Sequence, residues 1–346
     1  MKVQRYLPAE WHRQSIIQIA WPHAQTDWAY MLDEVEQCYV QLATEIAKRQ
    51  PLMIICPEIH RVQELLKNET IDLHRICFVE CSTNDTWSRD NGFITMLDEK
   101  GKAQLLDFCF NGWGMKFAAN LDNQINSYLY KQQLLKGSYM DCRKFVLEGG
   151  SIESDGKGTL LTTAECLLSA NRNEPMTQAE IENYLKTIFG LQQILWLHHG
   201  YLAGDDTDSH VDTLARLCPD DTIVYVQCTN KEDEHYKELQ LMEAELKTFT
   251  TLDGKPYRLL ALPMADPVFD EEGNRLPATY ANFLIMNEAV LYPTYQQNPN
   301  DQKAKEILTK AFPDREIVGI DCCALIQQHG SLHCATMQYP EGVFKL

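Results

Sequence analysis

One cysteine near the end of the chain and three distant polar segments have the residue types needed for nucleophilic chemistry. The cysteine is Cys334, which follows a glycine-containing turn and precedes a short strand-like run. The polar segments are Trp87-Ser88-Arg89-Asp90, Glu148-Gly149-Gly150 and His210-Val211-Asp212. Carboxylates can bind and orient a cation, a thiolate can add to carbon, and a histidine can move protons. Together these residue types predict attack on the carbon of a guanidinium group.

The segment from Asp205 to Asp212 carries four aspartates and one histidine. If Ser209–Asp212 is extended, His210 and Asp212 face the same side, because side chains alternate along a strand. That arrangement would place an acid–base group beside a carboxylate. A metal site and a plain acidic loop are the alternatives. The metal site ranks lower, because such sites usually need more histidines at set spacing.

Aromatic residues and glycines accompany the other two segments. Trp113 stands between two glycines, which favours a tight turn or a close approach of the backbone, and its ring could cover a flat cation. Glu148 ends a predicted strand and precedes two glycines, so it could project into a pocket. The structural alternatives are a packed aromatic for Trp113, a surface hairpin for Glu148 and a solvent turn for Asn84–Gly92.

Apolar periodicity and turn residues predict an alternation of short strands and helices. Strands are predicted at 16–22, 52–56, 77–80, 93–97, 105–110, 144–147, 159–163, 193–197, 222–227, 257–262, 280–286, 289–292 and 316–320. Helices are predicted at 29–49, 58–67, 232–247 and 301–312, and after a capping box at 177–180. The order strand, turn, strand, helix, strand recurs about five times, in units of roughly 60–70 residues. A radial array of such units would bring residues near 90, 150, 210 and 334 to one central point.

Composition excludes several classes of function. The chain of 346 residues has 31 Lys+Arg against 49 Asp+Glu, a formal charge of −18, which argues against nucleic-acid or membrane partners and suits a small cationic substrate. No signal peptide or membrane span is predicted. Twelve cysteines without export favour reduced thiols in a cytoplasm, and the lack of a CxxC pair gives no support to structural zinc.

Nine short segments, spread over almost the whole chain, carry a resemblance to a known family. They are Pro8-Ala9-Glu10-Trp11, Ala20-Trp21-Pro22-His23, Trp87–Gly92, Phe110–Gly114, Glu148–Ser151, Thr159–Thr163, Gly204–Asp208, His210–Asp212 and His333–Gln338. In these segments the chain resembles the agmatine deiminase branch of the guanidino-group-modifying enzymes, which is grouped with the bacterial-type peptidylarginine deiminases.

The resemblance implies a fivefold pseudo-symmetric α/β propeller that forms a single domain over residues 1–346. It also implies hydrolysis of agmatine to N-carbamoylputrescine and ammonia, a step toward putrescine, without metal or organic cofactor, and a possible homodimer. The residues that match the family's catalytic and binding positions are Cys334 as nucleophile, His210 as general acid and base, Asp90 and Asp212 as guanidinium ligands, Glu148 as substrate contact or brace for the histidine, Trp87 as aromatic wall, and Asp206 near the distal amine.

Two departures from the family pattern bear on the substrate. The family commonly has glycine before the histidine, where this chain has Ser209, and a glycine-rich run ending in asparagine, where it has Gln327–Ser331. These changes leave open a free or peptidyl arginine as the substrate, for which Arg172 could bind the α-carboxylate. An amidinotransferase, a non-catalytic cation-binding protein and a metallohydrolase are further alternatives.

Overall fold

The computed structural model describes residues 5–67 and 69–345 of the chain. Within them the strands are β1 (Arg5–Tyr6), β2 (Gln14–Ala20), β3 (Leu52–Cys56), β4 (Ile76–Glu80), β5 (Ile94–Asp98), β6 (Ala103–Cys109), β7 (Ser138–Val146), β8 (Ile152–Ser154), β9 (Thr159–Thr163), β10 (Gln193–Leu197), β11 (Ala215–Cys218), β12 (Thr222–Gln227), β13 (Arg258–Pro263), β14 (Leu284–Ile285), β15 (Ala289–Thr294), β16 (Glu316–Asp321) and β17 (Thr336–Pro340). The helices are α1 (Leu32–Arg49), α2 (Ile59–Leu66), α3 (Ser88–Asn91), α4 (Gly112–Met115), α5 (Asp122–Lys131), α6 (Ala164–Leu167), α7 (Gln178–Phe189), α8 (Tyr236–Leu246) and α9 (Asn298–Ala311).

These strands form five separate mixed sheets in the described residues. Their strand orders are β1-β5-β6-β7, β10-β9-β8, β11-β12-β13, β14-β15-β16 and β17-β2-β3-β4. Each sheet contains an antiparallel strand pair whose second strand also lies parallel to a third strand: β5-β6-β7, β8-β9-β10, β11-β12-β13, β14-β15-β16 and β17-β2-β3. The short strand β1 adds a second antiparallel pair at the edge of β5. A helix precedes the third strand in every case, as the parallel connection requires. The predicted order of strand, turn, strand, helix, strand is therefore found four times along the chain, and a fifth sheet of the same kind combines β17 with β2 and β3.

The fifth unit is assembled from both ends of the chain. Strand β17 pairs antiparallel with β2, with Thr336 opposite Ile19, and β2 pairs parallel with β3 across α1. The C-terminal strand thus lies beside the N-terminal one. This pairing fixes the position of Cys334, which stands two residues before β17.

Apolar pattern explains how the units pack. All five residues of β3 are buried, as expected for a continuous apolar run in the middle of a parallel arrangement. The α1 residues Val35, Tyr39, Leu42 and Ile46 are completely buried along one face, which confirms the predicted helical stripe. The capping box at the start of α7 is also present, with Thr177 and Glu180 bonded reciprocally.

Two of the predicted strands differ clearly from the structure, and several elements were not predicted. The strand predicted at 280–286 is confined to Leu284–Ile285, because residues 280–283 belong to the irregular segment that leads into β14. The strand predicted at 144–147 ends one residue earlier and starts at Ser138. Helix α5 was not predicted: its polar sequence shows only Ile125 and Leu129 as fully buried apolar positions. No helix of the described residues combines the length and the apolar character needed to cross a membrane.

Candidate active site

A cavity with about 440 Å³ of free space, part of it open to solvent, reaches Cys334 at its inner end. Asp90, Trp87 and Trp113 line the same inner part of the wall. The full lining consists of Asp27, Asp85, Trp87, Asp90, Trp113, Phe117, Asp206, Thr207, Gln328, His329, Gly330 and Cys334. His210, Asp212 and Glu148 do not line the cavity and are completely buried. We call Cys334, Asp90, His210 and Asp212 the inner group.

Five site residues come from equivalent places in the five units. Asp90, Glu148, Asp212, Asn282 and Cys334 each lie two to four residues before the first strand of their unit: β5, β8, β11, β14 and β17. The repeat therefore brings one polar side chain from each unit to a common region. Asn282 was missed in the sequence analysis, although the repeat itself marks its position.

The Cys334 thiol lies among oxygen atoms. Its Sγ is 3.4 Å from Asn282 Oδ1 and 3.9 Å from Asp212 Oδ2. Burial raises the pKa of the Cys334 thiol well above its ordinary value, and the carboxylates of Asp212 and Asp90 raise it further. The thiol is therefore neutral until a positive charge enters the site.

The two aspartates of the inner group are held by different partners. Asp90 accepts hydrogen bonds from Trp113 Nε1 at 2.8 Å and from the Gly150 amide at 2.9 Å. Burial raises its pKa, against the opposing charge of His210. The Oδ2 atom of Asp212 lies 2.7 Å from His333 Nδ1, while its buried Oδ1 atom has no partner among the described residues. Trp113 thus positions a carboxylate as well as lining the wall.

His210 is fixed through its backbone and has free ring nitrogens. Its amide donates to Thr207 Oγ1 at 3.1 Å, and its carbonyl accepts from Thr213 Oγ1 at 2.8 Å. Neither ring nitrogen has a hydrogen-bond partner among the described residues, although Nδ1 lies 3.7 Å from Asp90 Oδ1. Burial opposes the cationic form, yet the neighbouring Asp90, Cys166 and Glu148 raise the pKa of His210 well above its ordinary value. These neighbours therefore favour the cationic form of His210.

Glu148 lies behind the histidine, outside the cavity. Its Oε1 accepts a hydrogen bond from Arg172 Nε at 2.9 Å, while its buried Oε2 has no partner among the described residues. Ligand-type atoms of Glu148, Cys166 and His210 lie within 4.8 Å of one another. Of the two roles expected for Glu148, this geometry favours bracing the histidine over contact with the substrate.

The segment around His210 is not extended, so the predicted alternation was wrong. Asp208 and Ser209 both have left-handed backbone, with φ of 63° and 61°, and residues 211–213 form a single 3-10 turn. His210 and Asp212 still converge. A Cβ atom on Gly150 would lie 2.7 Å from His210 Nδ1 and 3.0 Å from Asp212 Oδ2.

The aromatic wall depends on glycine. A Cβ atom on Gly330 would lie 2.4 Å from two ring carbons of Trp87, so the backbone there must approach the indole directly. Trp87 also packs on Trp28, with ring centroids 5.8 Å apart. Gly330 is part of the segment that departs from the family pattern, and its neighbour His329 lines the cavity with a left-handed φ of 63°.

The outer part of the cavity, which we call the mouth, is acidic. Its carboxylates are Asp27, Asp85 and Asp206, and no lysine or arginine is among the residues that line the cavity. Burial raises the pKa of Asp85 to about 6 and also raises that of Asp206. The predicted place of Asp206 near the outer end of a substrate fits this position.

The cations nearest to the mouth are already engaged. Arg172 donates to Glu148, to the carboxylate of Asp208 at 2.6 Å and to the Thr207 carbonyl at 2.9 Å. Lys116 donates to the Asp206 carbonyl and to Asp208, both at 2.7 Å. The suggestion that Arg172 binds the α-carboxylate of an arginine is therefore not supported by its contacts.

The chain was compared with known families, curated proteins and solved structures. Residues 6–340 match the model of the Porphyromonas-type peptidyl-arginine deiminases. An agmatine deiminase of Pseudomonas syringae pv. tomato is 31% identical, with 97% of this chain and 95% of the relative covered. A structure from Porphyromonas gingivalis, named as a candidate arginine deiminase, is 50% identical with a TM-score of 0.93 and covers 99% of this chain and 100% of its own. A cysteine-to-serine variant of a C. jejuni agmatine deiminase, with substrate bound, is 39% identical with a TM-score of 0.90, covering 98% and 97%.

Proposed function

The chain belongs to the Porphyromonas-type peptidyl-arginine deiminase family, and on that premise we propose that it hydrolyses agmatine to N-carbamoylputrescine and ammonia. The observation that carries the proposal is a cysteine at the inner end of a cavity whose charged lining residues include four carboxylates and no lysine or arginine. Such a cavity suits a substrate with a positive charge at each end. The curated relatives named agmatine deiminase support the same activity.

Recognition of the guanidinium falls to two carboxylates. A guanidinium is planar, and its paired N–H groups match carboxylate oxygens in a bidentate manner. Asp212 offers an unpartnered Oδ1, and each Asp90 oxygen has one hydrogen bond from the protein and a second lone pair for the substrate. Trp87 and Trp113 line the cavity and would limit the space around the planar guanidinium.

The substrate supplies the charge that activates the thiol. The Cys334 thiol stays neutral because burial and the carboxylates of Asp212 and Asp90 raise its pKa. A guanidinium between these carboxylates lowers the thiol pKa, because a nearby cation favours the thiolate. The thiol then releases its proton to water, and the thiolate adds to the guanidinium carbon.

His210 carries the proton steps that follow. As an imidazolium it protonates the departing nitrogen, ammonia leaves, and an amidino group remains bound to the Cys334 sulfur. The now neutral ring removes a proton from water as the water attacks the same carbon. When that adduct collapses, the Cys334 thiolate leaves and the ureido product forms. The hydroxyl group of the adduct loses its proton in this step, and that proton converts the thiolate back to the thiol.

The mouth distinguishes agmatine from arginine. Agmatine ends in an ammonium, which the carboxylates of Asp206, Asp85 and Asp27 attract. Arginine carries an α-carboxylate in the same region, and this would face those acids without a free cation to receive it. We propose further that the five sheets form a fivefold pseudo-symmetric propeller in one domain, with the inner group on its axis.

Product formation from three substrates tests the proposal. Agmatine, arginine and a blocked arginyl peptide are incubated in parallel, and the ureido group and ammonia are measured, with Cys334→Ala as the control. We expect turnover of agmatine alone, abolished in the variant. Turnover of an arginine substrate in preference would contradict the assignment of the mouth, and agmatine turnover that survives in Cys334→Ala would contradict the nucleophile.

A further inference from the structure

Five buried charged side chains form a continuous row that begins at the inner group and runs away from the cavity. Asp212 contacts His333, His333 contacts Glu10, and Glu10 and Glu153 both contact Arg216. All five are less than a tenth exposed. In the mechanism above only Asp212 has a part, so the other four are unexplained by it.

His333 stands between two carboxylates. Its Nδ1 lies 2.7 Å from Asp212 Oδ2, and its Nε2 lies 2.8 Å from Glu10 Oε2. A neutral imidazole has one N–H and one lone pair, so it could donate to only one of these oxygens. The other nitrogen would then direct a lone pair at a carboxylate. The geometry is satisfied on both sides only when the ring carries both protons.

Arg216 provides the competing arrangement. Its Nη2 lies 3.1 Å from His333 Nε2, so a neutral ring could accept a hydrogen bond from it. However, the same Nη2 donates to Glu10 Oε2 at 2.7 Å, and that oxygen is closer to the ring than Nη2 is. Burial would raise the pKa of Glu10, yet the charges of His333 and Arg216 hold it well below its ordinary value. A Glu10 anion with two cationic donors matches this row of alternating charges.

The contact with His333 decides the state of Asp212. Burial alone would raise the pKa of the Asp212 carboxyl, but the hydrogen bond and charge of His333, with further contributions from the charges of His210 and Arg216, bring it below its ordinary value. Because His333 binds Oδ2, the carboxylate cannot rotate freely and Oδ1 is left for another donor. The backbone of His333 is itself held, since its amide donates to Asn282 Oδ1 at 2.9 Å and its carbonyl accepts from Arg89 Nε.

We propose that His333 is a positioning residue: as an imidazolium held between Asp212 and Glu10, it keeps the Asp212 carboxylate ionised and oriented for the substrate's guanidinium. The proposal deepens the proposed function and rests on it for the identity of the ligand. His333 acts through Asp212 and touches no reacting atom. Arg216 keeps Glu10 anionic, and Glu153 completes the row by pairing with Arg216.

The charge of the ring can be measured directly in the substrate-free protein. The chain has ten histidines, which are labelled with ¹⁵N and observed by NMR at neutral pH. The His333 signals are identified by their loss in His333→Gln. We expect two protonated nitrogens with similar shifts, the signature of an imidazolium. One protonated and one unprotonated nitrogen would overturn the proposal, whether or not the protein turns over agmatine.

The effect on Asp212 is tested by kinetics of Glu10→Gln, which removes the charge and keeps the size. We expect kcat/KM for agmatine to fall roughly 100-fold at pH 7, as for removal of one partner of a buried charge pair. The acid side of the kcat/KM pH profile should move to higher pH, because Asp212 without a cationic His333 beside it accepts a proton more readily. Agmatine affinity, measured by calorimetry in a Cys334→Ala background, should fall by a similar factor.

His235→Gln is the matched control. His235 is equally buried and lies 2.7 Å from Asp233, outside the candidate active site. We expect His235→Gln to lower the free energy of unfolding and to leave the acid side of the kcat/KM pH profile unchanged. If Glu10→Gln folds and the acid side of its kcat/KM pH profile coincides with that of wild type, the proposal fails. If wild type does not hydrolyse agmatine at all, the proposed function fails, and the NMR result still decides the charge of His333.

Discussion

The inner group and the mouth of the same cavity hold their carboxylates to different degrees. In the inner group each carboxylate has buried partners: Asp90 is bonded by Trp113 and Gly150, and Asp212 by His333. At the mouth the acids are held less uniformly: Asp85 accepts a hydrogen bond from Trp28 Nε1 at 3.1 Å, whereas Asp27 is exposed and Asp206 is partly exposed, with its carboxylate 3.9 Å from the ring of His329. Attack on the guanidinium carbon needs reacting groups that are held in place, as they are in the inner group. Recognition of a distal ammonium needs only negative charge within reach.

This difference also explains where the chain departs from its family pattern. Ser209, where the resemblance predicts glycine, and His329, in the segment where it predicts a glycine-rich run, both have left-handed backbone. Ser209 does not line the cavity, whereas His329 lies at the mouth. These two residues therefore bear on backbone strain and on the outer wall, and neither contacts Cys334 Sγ or the Asp90 carboxylate through a hydrogen bond in the described residues.

The largest effect is expected at Gly150, because the closely held inner group leaves no room there for a larger side chain. In Gly150→Ala the new Cβ would lie 2.7 Å from His210 Nδ1 and 2.9 Å from Asp90 Oδ1, so both side chains must move. We expect kcat/KM for agmatine to fall at least about 100-fold, as for a misplacement near 1 Å. Gly101→Ala, which strains a left-handed φ of 72° but meets open space around its Cβ, is the control for a loss of stability alone and should keep its activity. Near-normal activity of Gly150→Ala would show that the inner group is not fixed.

The second prediction concerns the free thiol. Burial and the carboxylates of Asp212 and Asp90 raise the pKa of Cys334, and only the thiolate is alkylated efficiently. In the absence of substrate, the rate of iodoacetamide labelling at Cys334 should rise about tenfold per pH unit between pH 7 and pH 9. Mass spectrometry of the peptide containing Cys334 gives the rate. A plateau near neutral pH would mean that a thiolate is present before the substrate binds.

The third prediction concerns the mouth. Asp85 has its pKa raised by burial to about 6, so its carboxylate gains a proton and loses its charge as the pH falls below that value. The KM for agmatine should therefore rise by about tenfold between pH 7 and pH 5. Asp85→Asn should flatten this dependence, and butylguanidine, which lacks the distal ammonium, should not show it. Equal pH dependence for both substrates would remove Asp85 from recognition.

The smallest effect is expected in stability. Ser209→Gly relieves a left-handed residue while its backbone bonds to Asp205 and Thr163 remain. The free energy of unfolding should rise by about 0.5–1 kcal/mol. His329→Gly relieves similar strain but loses the 2.7 Å contact between His329 Nδ1 and the Gly204 carbonyl, so it should be close to neutral. Urea unfolding measures both, and a destabilised Ser209→Gly would contradict the strain argument.

Local sequence was enough to predict most elements of the fold. The strand at Leu52–Cys56 and helix α1 follow from the burial of residues close together in the sequence. The capping box at Thr177 depends on only four consecutive positions. Helix α5 could not be predicted, because it is anchored from outside: the Asp122 carboxylate accepts the Asn84 amide at 2.6 Å. Its polar sequence gives little periodic signal.

The site was predicted only in part, for a physical reason. Cys334, His210 and the paired aspartates lie in segments rich in reactive types, so the residues themselves indicate chemistry. Asn282 lies in an apolar segment, and its approach to Cys334 depends on the packing of separate units. The positions of His333 and Glu10 likewise depend on a contact between the two ends of the chain. Such contacts are tertiary and leave no local pattern.

The most direct test of the account is to search for the covalent adduct on Cys334. Wild-type protein is mixed with agmatine, quenched with acid during turnover, digested, and examined by mass spectrometry. We predict that the peptide containing Cys334 gains the mass of the amidino group derived from agmatine, and that Cys334→Ala gives neither adduct nor product. Agmatine turnover in Cys334→Ala, or an adduct on another cysteine, would contradict the central claim that Cys334 is the nucleophile.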